Sequence, residues 1–309
     1  LSAGTPMWLA MVLVAMLVAA TMFWSGDLKR FLLTGMIVTS PISITKSLIV
    51  HKGVYSPAFE LCPADLFIVA LLLVWVFERQ VLQRRPLRIG PGRVVLWAYF
   101  IGTWISAFLG SDPISGVLAA TSLTKNFVLF ILVADLVDSA ADVRRVLGAG
   151  AIGMAINVAM VGAQFLTHKS LALQGSKAAT AGIEMIYEGT GVSALRPFGF
   201  LLHPNVLADY LVLLLPLLML LVLLGAARVG RRVWWPALLL FVGAFLALLL
   251  TLSRGGWISF GVAAVFLLAI GYGKRLVRKS QIVAIMTAIV IGLAAIGAAY
   301  PALYYRVSR

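Results

Sequence analysis

A chain of 309 residues that is 62% hydrophobic and only 12% charged, with a mean hydropathy of +1.03, lies outside the range of soluble domains, which are roughly half apolar and about a quarter charged. The net charge of +14 suggests nucleic acid as a partner. However, the basic residues fall in short clusters between apolar blocks, as membrane topology requires, so no nucleic-acid partner is expected. A single cysteine, Cys62, excludes an internal disulfide and a CxxC metal site.

The apolar blocks recur along the whole chain. A helical span needs about 20 mostly apolar residues, and backbone inside lipid must satisfy its own hydrogen bonds. The expected fold class is therefore all-α, a polytopic transmembrane helical bundle forming one domain over residues 1–309. Ten spans are expected, near 7–24, 31–50, 65–78, 94–110, 115–136, 146–166, 206–225, 234–252, 256–272 and 281–304. The second is the weakest, because Pro41, Thr45 and Lys46 interrupt it, and it reads as kinked or only partly inserted.

The Lys and Arg residues between spans set the orientation. Sixteen of the 25 fall on one side: Lys29 and Arg30; Arg79, Arg84, Arg85, Arg88 and Arg93; Arg144 and Arg145; Arg228, Arg231 and Arg232; Lys274, Arg275, Arg278 and Lys279. That side is cytoplasmic by the positive-inside rule, and both ends of the sequence then face outward. Trp8, Trp24, Trp104, Trp234, Trp235 and Trp257 sit near span ends, as an aromatic belt requires. The chain opens on Leu1 and stops at Arg309 just after a span, so an upstream helix and a C-terminal continuation are expected. The longest outer loop, about 167–202, contains Gly175, Gly182, Gly189 and Gly191 among scattered polar residues.

Two outer stretches stand out. In Arg196-Pro-Phe-Gly-Phe-Leu-Leu-His203-Pro204-Asn205, Pro204 suits the first position of a helix, whose free N–H groups then point outward beside Arg196. A helix N-terminus with an arginine is an anion site. In Thr251-Leu-Ser253-Arg254-Gly255-Gly256-Trp257 an apolar block running from Trp234 to Tyr272 is broken, with Gly255 and Gly256 expected to supply the turn. Arg254 then sits at or just below the outer surface beside a second helix N-terminus.

Each arginine alone has a structural explanation, snorkelling to headgroup phosphates. Together, with two helix N-termini and few carboxylates, they suit a doubly charged ligand such as pyrophosphate, whose oxygens match the guanidinium fork. His203 is either a proton carrier or a helix cap. Asp209 shares a helix face with Asn205 and is either a base or the ion-pair partner of Arg196 or Arg254. Glu184 and Glu188 share a face if their segment is helical, most simply a solvated one. Lys125 and Asp135 are buried partners or lie near the ends of the fifth span, while His51 and His168 have no recognisable partners. No acidic or histidine cluster has metal-ligand spacing, and no phosphate-cradling GxxxxGK[ST] occurs, so no metal or cofactor is expected.

At these two stretches the sequence resembles the O-antigen ligase and polymerase superfamily, bacterial inner-membrane glycosyltransferases. The sharp part is Arg196-Pro-Phe-Gly-Phe-x-x-His203-Pro204-Asn205 with the span after it, and Thr251-Leu-Ser253-Arg254-Gly255-Gly256. Asp65-Leu66 opening one span and Ser111-Asp112-Pro113 closing another match more loosely. The resemblance implies a metal-independent transfer of a glycan from undecaprenyl pyrophosphate to an acceptor hydroxyl at the periplasmic face. The acceptor is a glycan, a lipid or a protein. Arg196 and Arg254 match the family's two pyrophosphate-holding arginines and are the catalytic candidates; His203, Asn205, Ser253 and Gly255 complete the donor region and Asp209 supports it. The family's proposed base is a histidine in a later periplasmic loop, so the base is expected beyond Arg309 and His203 does not replace it. The competing readings are a transporter or flippase for an anionic or lipid-linked solute, and a non-catalytic scaffold.

Overall fold

The computed structural model describes residues 27–42, 46–50, 58–82, 91–169, 171, 184–187, 192–201, 203–277, 279–280, 282–283 and 287. Nearly all of these are helical. Among the described residues, five helices are long and apolar enough to cross a membrane: Pro113–Leu136, Ala140–Thr167, Pro204–Leu224, Arg231–Leu250 and Arg254–Gly273. They coincide with expected spans 115–136, 146–166, 206–225, 234–252 and 256–272. The expected first span lies outside the described residues, and the last almost entirely so.

The chain divides into two compact units, Leu1–Ser40 with Lys46–Ala149, and Gly150–Arg309 with Pro41–Thr45. In the first unit, α1 (Leu28–Thr39) is capped by Asp27, whose carboxylate accepts from the Arg30 N–H. The expected span 31–50 is not one helix. It stops before Pro41, which lacks a helical donor, and Lys46–Val50 forms β1, paired antiparallel with β2 (Ala58–Leu61). Helix α2 (Pro63–Val76) opens with Pro63 and Asp65, and the Asp65 carboxylate accepts the Cys62 N–H at 2.8 Å. A π-helical turn, Phe77–Leu82, continues it. Helices α3 (Pro91–Leu109) and α4 (Pro113–Leu136) form a hairpin, the second capped by Asp112. Helix α5 (Ala140–Thr167) begins in this unit and continues in the other.

Close helix approach here depends on small residues, as it does generally in lipid. A Cβ on Gly35 would fall 2.4 Å from the Phe67 ring, and one on Gly116 would fall 2.6 Å from the Ala107 carbonyl oxygen. The core joins Leu32, Leu33 and Met36 of α1 to Ile68, Leu71 and Trp75 of α2 and Leu132 of α4. Through the same packing run charges. Lys125 donates to buried Asp65 at 2.7 Å. Asp135 accepts from Arg79 and, at 2.7 Å, from the Trp75 indole, with the Arg79 guanidinium 5.3 Å from the Trp75 ring centre. Lys125 and Asp135 are thus paired across helices. Arg79, expected as an inner-loop cation, is buried and paired instead.

The second unit holds the rest of α5, a hairpin of β3 (Glu184–Tyr187) and β4 (Val192–Leu195), and a helical core. Glu184 is in a strand, so it does not share a helix face with Glu188, which lies outside the described residues. Helix α6 (Pro204–Leu224) is central, its face of Leu207, Leu211, Leu215, Leu218 and Met219 buried against α8 (Arg231–Leu250) and α9 (Arg254–Gly273); the short α7 (Ala226–Val229) links α6 to α8.

Candidate functional site: paired helix N-termini and Arg196

The site sits where α6 and α9 begin. Gly256, in the first turn of α9, lies against Ala208 of α6, and a Cβ on Gly256 would come within 2.7 Å of the Ala208 Cβ. The two helices therefore start side by side and run the same way. Each N-terminus carries about half a positive charge from its unpaired N–H groups, so the pairing concentrates positive potential at one point.

His203 caps α6, its Nδ1 accepting the Asn205 N–H at 3.1 Å; of its two sequence readings, the structure realises the cap. Ser253 caps α9, its Oγ accepting the Gly256 N–H at 3.4 Å. Ser253 is buried, so its hydroxyl serves the helix end and does not stand open at the surface. Gly255 and Gly256 do not make the turn as expected. Both lie inside the first turn of α9, and the chain reverses one step earlier, through Thr251 and Leu252, with Leu252 at φ +52°. A leucine in the left-handed region costs of order 1–2 kcal/mol and persists only where packing enforces it; Leu252 is fully buried. Gly255 has no neighbour within 4 Å of a built Cβ and is exposed.

Arg196 joins the two motifs. Its Nε donates to the Thr251 carbonyl at 2.8 Å and its Nη2 to Asn205 Oδ1 at 3.0 Å. One guanidinium thus spans the C-terminal end of α8 and the first turn of α6, bringing together segments 55 residues apart. Arg254 opens α9 with its side chain exposed, three residues beyond the carbonyl that Arg196 holds. Asp209 is exposed on α6, one turn beyond Asn205, and forms no ion pair among the described residues; the expected buried pair with Arg196 or Arg254 is not made. Among the described residues no group of three or more His, Cys, Asp or Glu is placed to hold a metal ion.

Sequence reading missed Asn157 and Gln164 of α5. Both are fully buried and bond to the segment just after Arg196. Gln164 Oε1 accepts the N–H groups of Phe198 at 3.1 Å and Gly199 at 3.0 Å, and Asn157 Oδ1 accepts that of Phe200 at 3.0 Å. Two amides seven residues apart in an apolar helix were the available signal, since that spacing puts them on one face.

Neither protein families, curated proteins nor solved structures offer a match to this chain.

Proposed function

We propose that this protein is a multi-pass membrane glycosyltransferase of the O-antigen ligase or polymerase type, with about ten spans in a bacterial inner membrane and its site at the periplasmic face. It moves a glycan from undecaprenyl pyrophosphate to an acceptor hydroxyl. The observation that carries the reading is Arg196 bonded at once to Asn205 and to the Thr251 carbonyl, which joins the two motif segments beside paired helix N-termini.

In the proposed step the acceptor oxygen attacks the anomeric carbon. The bond from that carbon to the pyrophosphate oxygen breaks, and its electron pair leaves with the lipid pyrophosphate. Charge grows on the leaving phosphate. Arg196, Arg254 and those N–H groups of the first turns of α6 and α9 that His203 and Ser253 do not cap are donors suited to that charge, each good for about 3 kcal/mol if aimed at it before reaction. The acceptor proton passes to a base within hydrogen-bond reach; His203 is not assigned this role, because its Nδ1 is engaged in capping.

The test is transfer by purified full-length protein from a lipid-pyrophosphate-linked glycan, with and without a strong chelator. Product formation undiminished by chelation is expected. Loss of transfer on EDTA treatment, restored by Mg²⁺ or Mn²⁺, would refute the arginine mechanism. A second reading, a transporter or flippase for a lipid-linked or anionic solute, is favoured by the pairs Asp65–Lys125 and Arg79–Asp135, each with one buried partner, since intramembrane charges often mark solute or proton paths. It predicts movement of the labelled lipid across a vesicle membrane with no glycan product.

A further inference from the structure

We infer that Asn157 and Gln164 are positioning residues for Arg196, an inference that rests on the donor-pyrophosphate reading of that arginine. Between β4 and α6 the chain runs through Arg196–Leu201 without regular structure. Irregular backbone in an apolar setting must find side-chain partners, and a buried amide is costly unless it too is bonded. Here each need meets the other. The N–H groups of Phe198, Gly199 and Phe200, three in succession, are all accepted by the two side-chain oxygens of Gln164 and Asn157. Gln164 Nε2 returns a bond to the Gly199 carbonyl at 3.0 Å. Asn157 Nδ2 donates to the Gly153 carbonyl at 3.1 Å and the Pro41 carbonyl at 3.3 Å.

The fit leaves no room for a shifted register. Gly199 has φ +64°, and a Cβ there would lie 2.7 Å from Asn157 Oδ1. Phe198 is buried beside it. Arg196 is separated from the first held N–H only by Pro197, whose ring fixes φ. The two amides therefore set the height along α5 at which the guanidinium leaves the chain, and with it the contacts to Thr251 and Asn205. Apolar packing alone would tolerate a slip that directional bonds at a seven-residue spacing do not.

The experiment uses full-length protein in lipid discs and two readouts, amide hydrogen exchange over 198–200 and glycan transfer from a lipid-pyrophosphate donor. Gln164→Met removes the acceptor at equal length. It should accumulate normally and speed exchange at Phe198 and Gly199 without changing exchange in α6 or α9. It should also lower kcat roughly ten- to a hundredfold, the scale of loss for a misplaced group. Combined with Arg196→Ala it should be no worse than Arg196→Ala alone, because residues acting as a unit are not additive. Gln164→Glu keeps the accepting oxygen but replaces the Nε2 donor to the Gly199 carbonyl with a second acceptor, so it too should speed exchange at Gly199 and lower kcat. If Gln164→Met does not accumulate, Gln164→Asn, with the same amide drawn back one methylene, is measured identically. Unchanged exchange overturns the inference, as does faster exchange with unchanged kcat or a loss additive with Arg196→Ala. If the unsubstituted protein makes no glycan product, the donor reading fails, while the exchange pattern still decides whether the amides hold the segment.

Discussion

The two glycines after Arg254 look equivalent in sequence and are not equivalent in the structure. Gly255 faces open space, whereas Gly256 is the point of contact between α9 and α6. Gly255→Ala should leave stability unchanged or raise it by up to about 1 kcal/mol through helix propensity. Gly256→Ala should lower it by about 1–3 kcal/mol, the usual range for overpacking. Thermal unfolding in detergent checks both, and equal effects would show that the N-termini are not in close contact. Arg254 invites a different comparison. Arg254→Ala should abolish transfer with the protein folded and inserted, and Arg254→Lys should lose most of it, because lysine offers a point charge where a planar fork is needed. The Arg196→Ala/Arg254→Ala double variant should be little worse than the worse single one. A snorkelling arginine predicts the reverse, with Lys substituting well. Near-normal turnover by Arg254→Lys at normal protein levels would therefore remove Arg254 from the site.

At the scale of elements, α2 and α4 are held by charge as well as by packing. The Asp65 carboxylate is nearly inaccessible, and Lys125 is its 2.7 Å partner from the middle of α4. Breaking a buried pair strands the remaining charge and costs about 3–5 kcal/mol, whereas replacing both partners by neutral groups is often tolerated. Lys125→Met alone should therefore lower the thermal midpoint sharply, and Asp65→Asn/Lys125→Met should restore most of the loss. Equal damage from single and double variants would show that the pair itself, and not the stranded carboxylate, matters. Loop elements follow a simpler logic. The break after α1 was readable from Pro41. The side-chain bonds that fasten the Phe198–Phe200 segment to α5 were not, because an isolated Asn or Gln in an apolar helix does not name its partner.

For the whole molecule the prediction concerns sidedness. By the positive-inside rule the dense basic clusters predict Arg84 and Arg231 inside and Arg196 and Arg254 outside. The common start of α6 and α9 fits this, because it brings Arg196 and Arg254 to one end of their unit. Single cysteines at the four positions in a Cys62→Ser background should sort by an impermeant thiol reagent, with positions 196 and 254 labelled in sealed right-side-out membranes. Labelling of position 254 only after permeabilisation would invert the topology. Membrane class, the five long apolar helices and the helix-opening role of Pro204 were all legible in the sequence, since apolar run length and local capping chemistry act over a few turns. Four features came only with the tertiary structure: the Arg196 contact with Thr251, the Leu252 turn, the different roles of Gly255 and Gly256, and the grip of Asn157 and Gln164. Each is a meeting of segments distant in sequence, or a backbone angle that such a meeting enforces. Periodicity along one segment carries no record of which face of another it will touch; helix packing decides that.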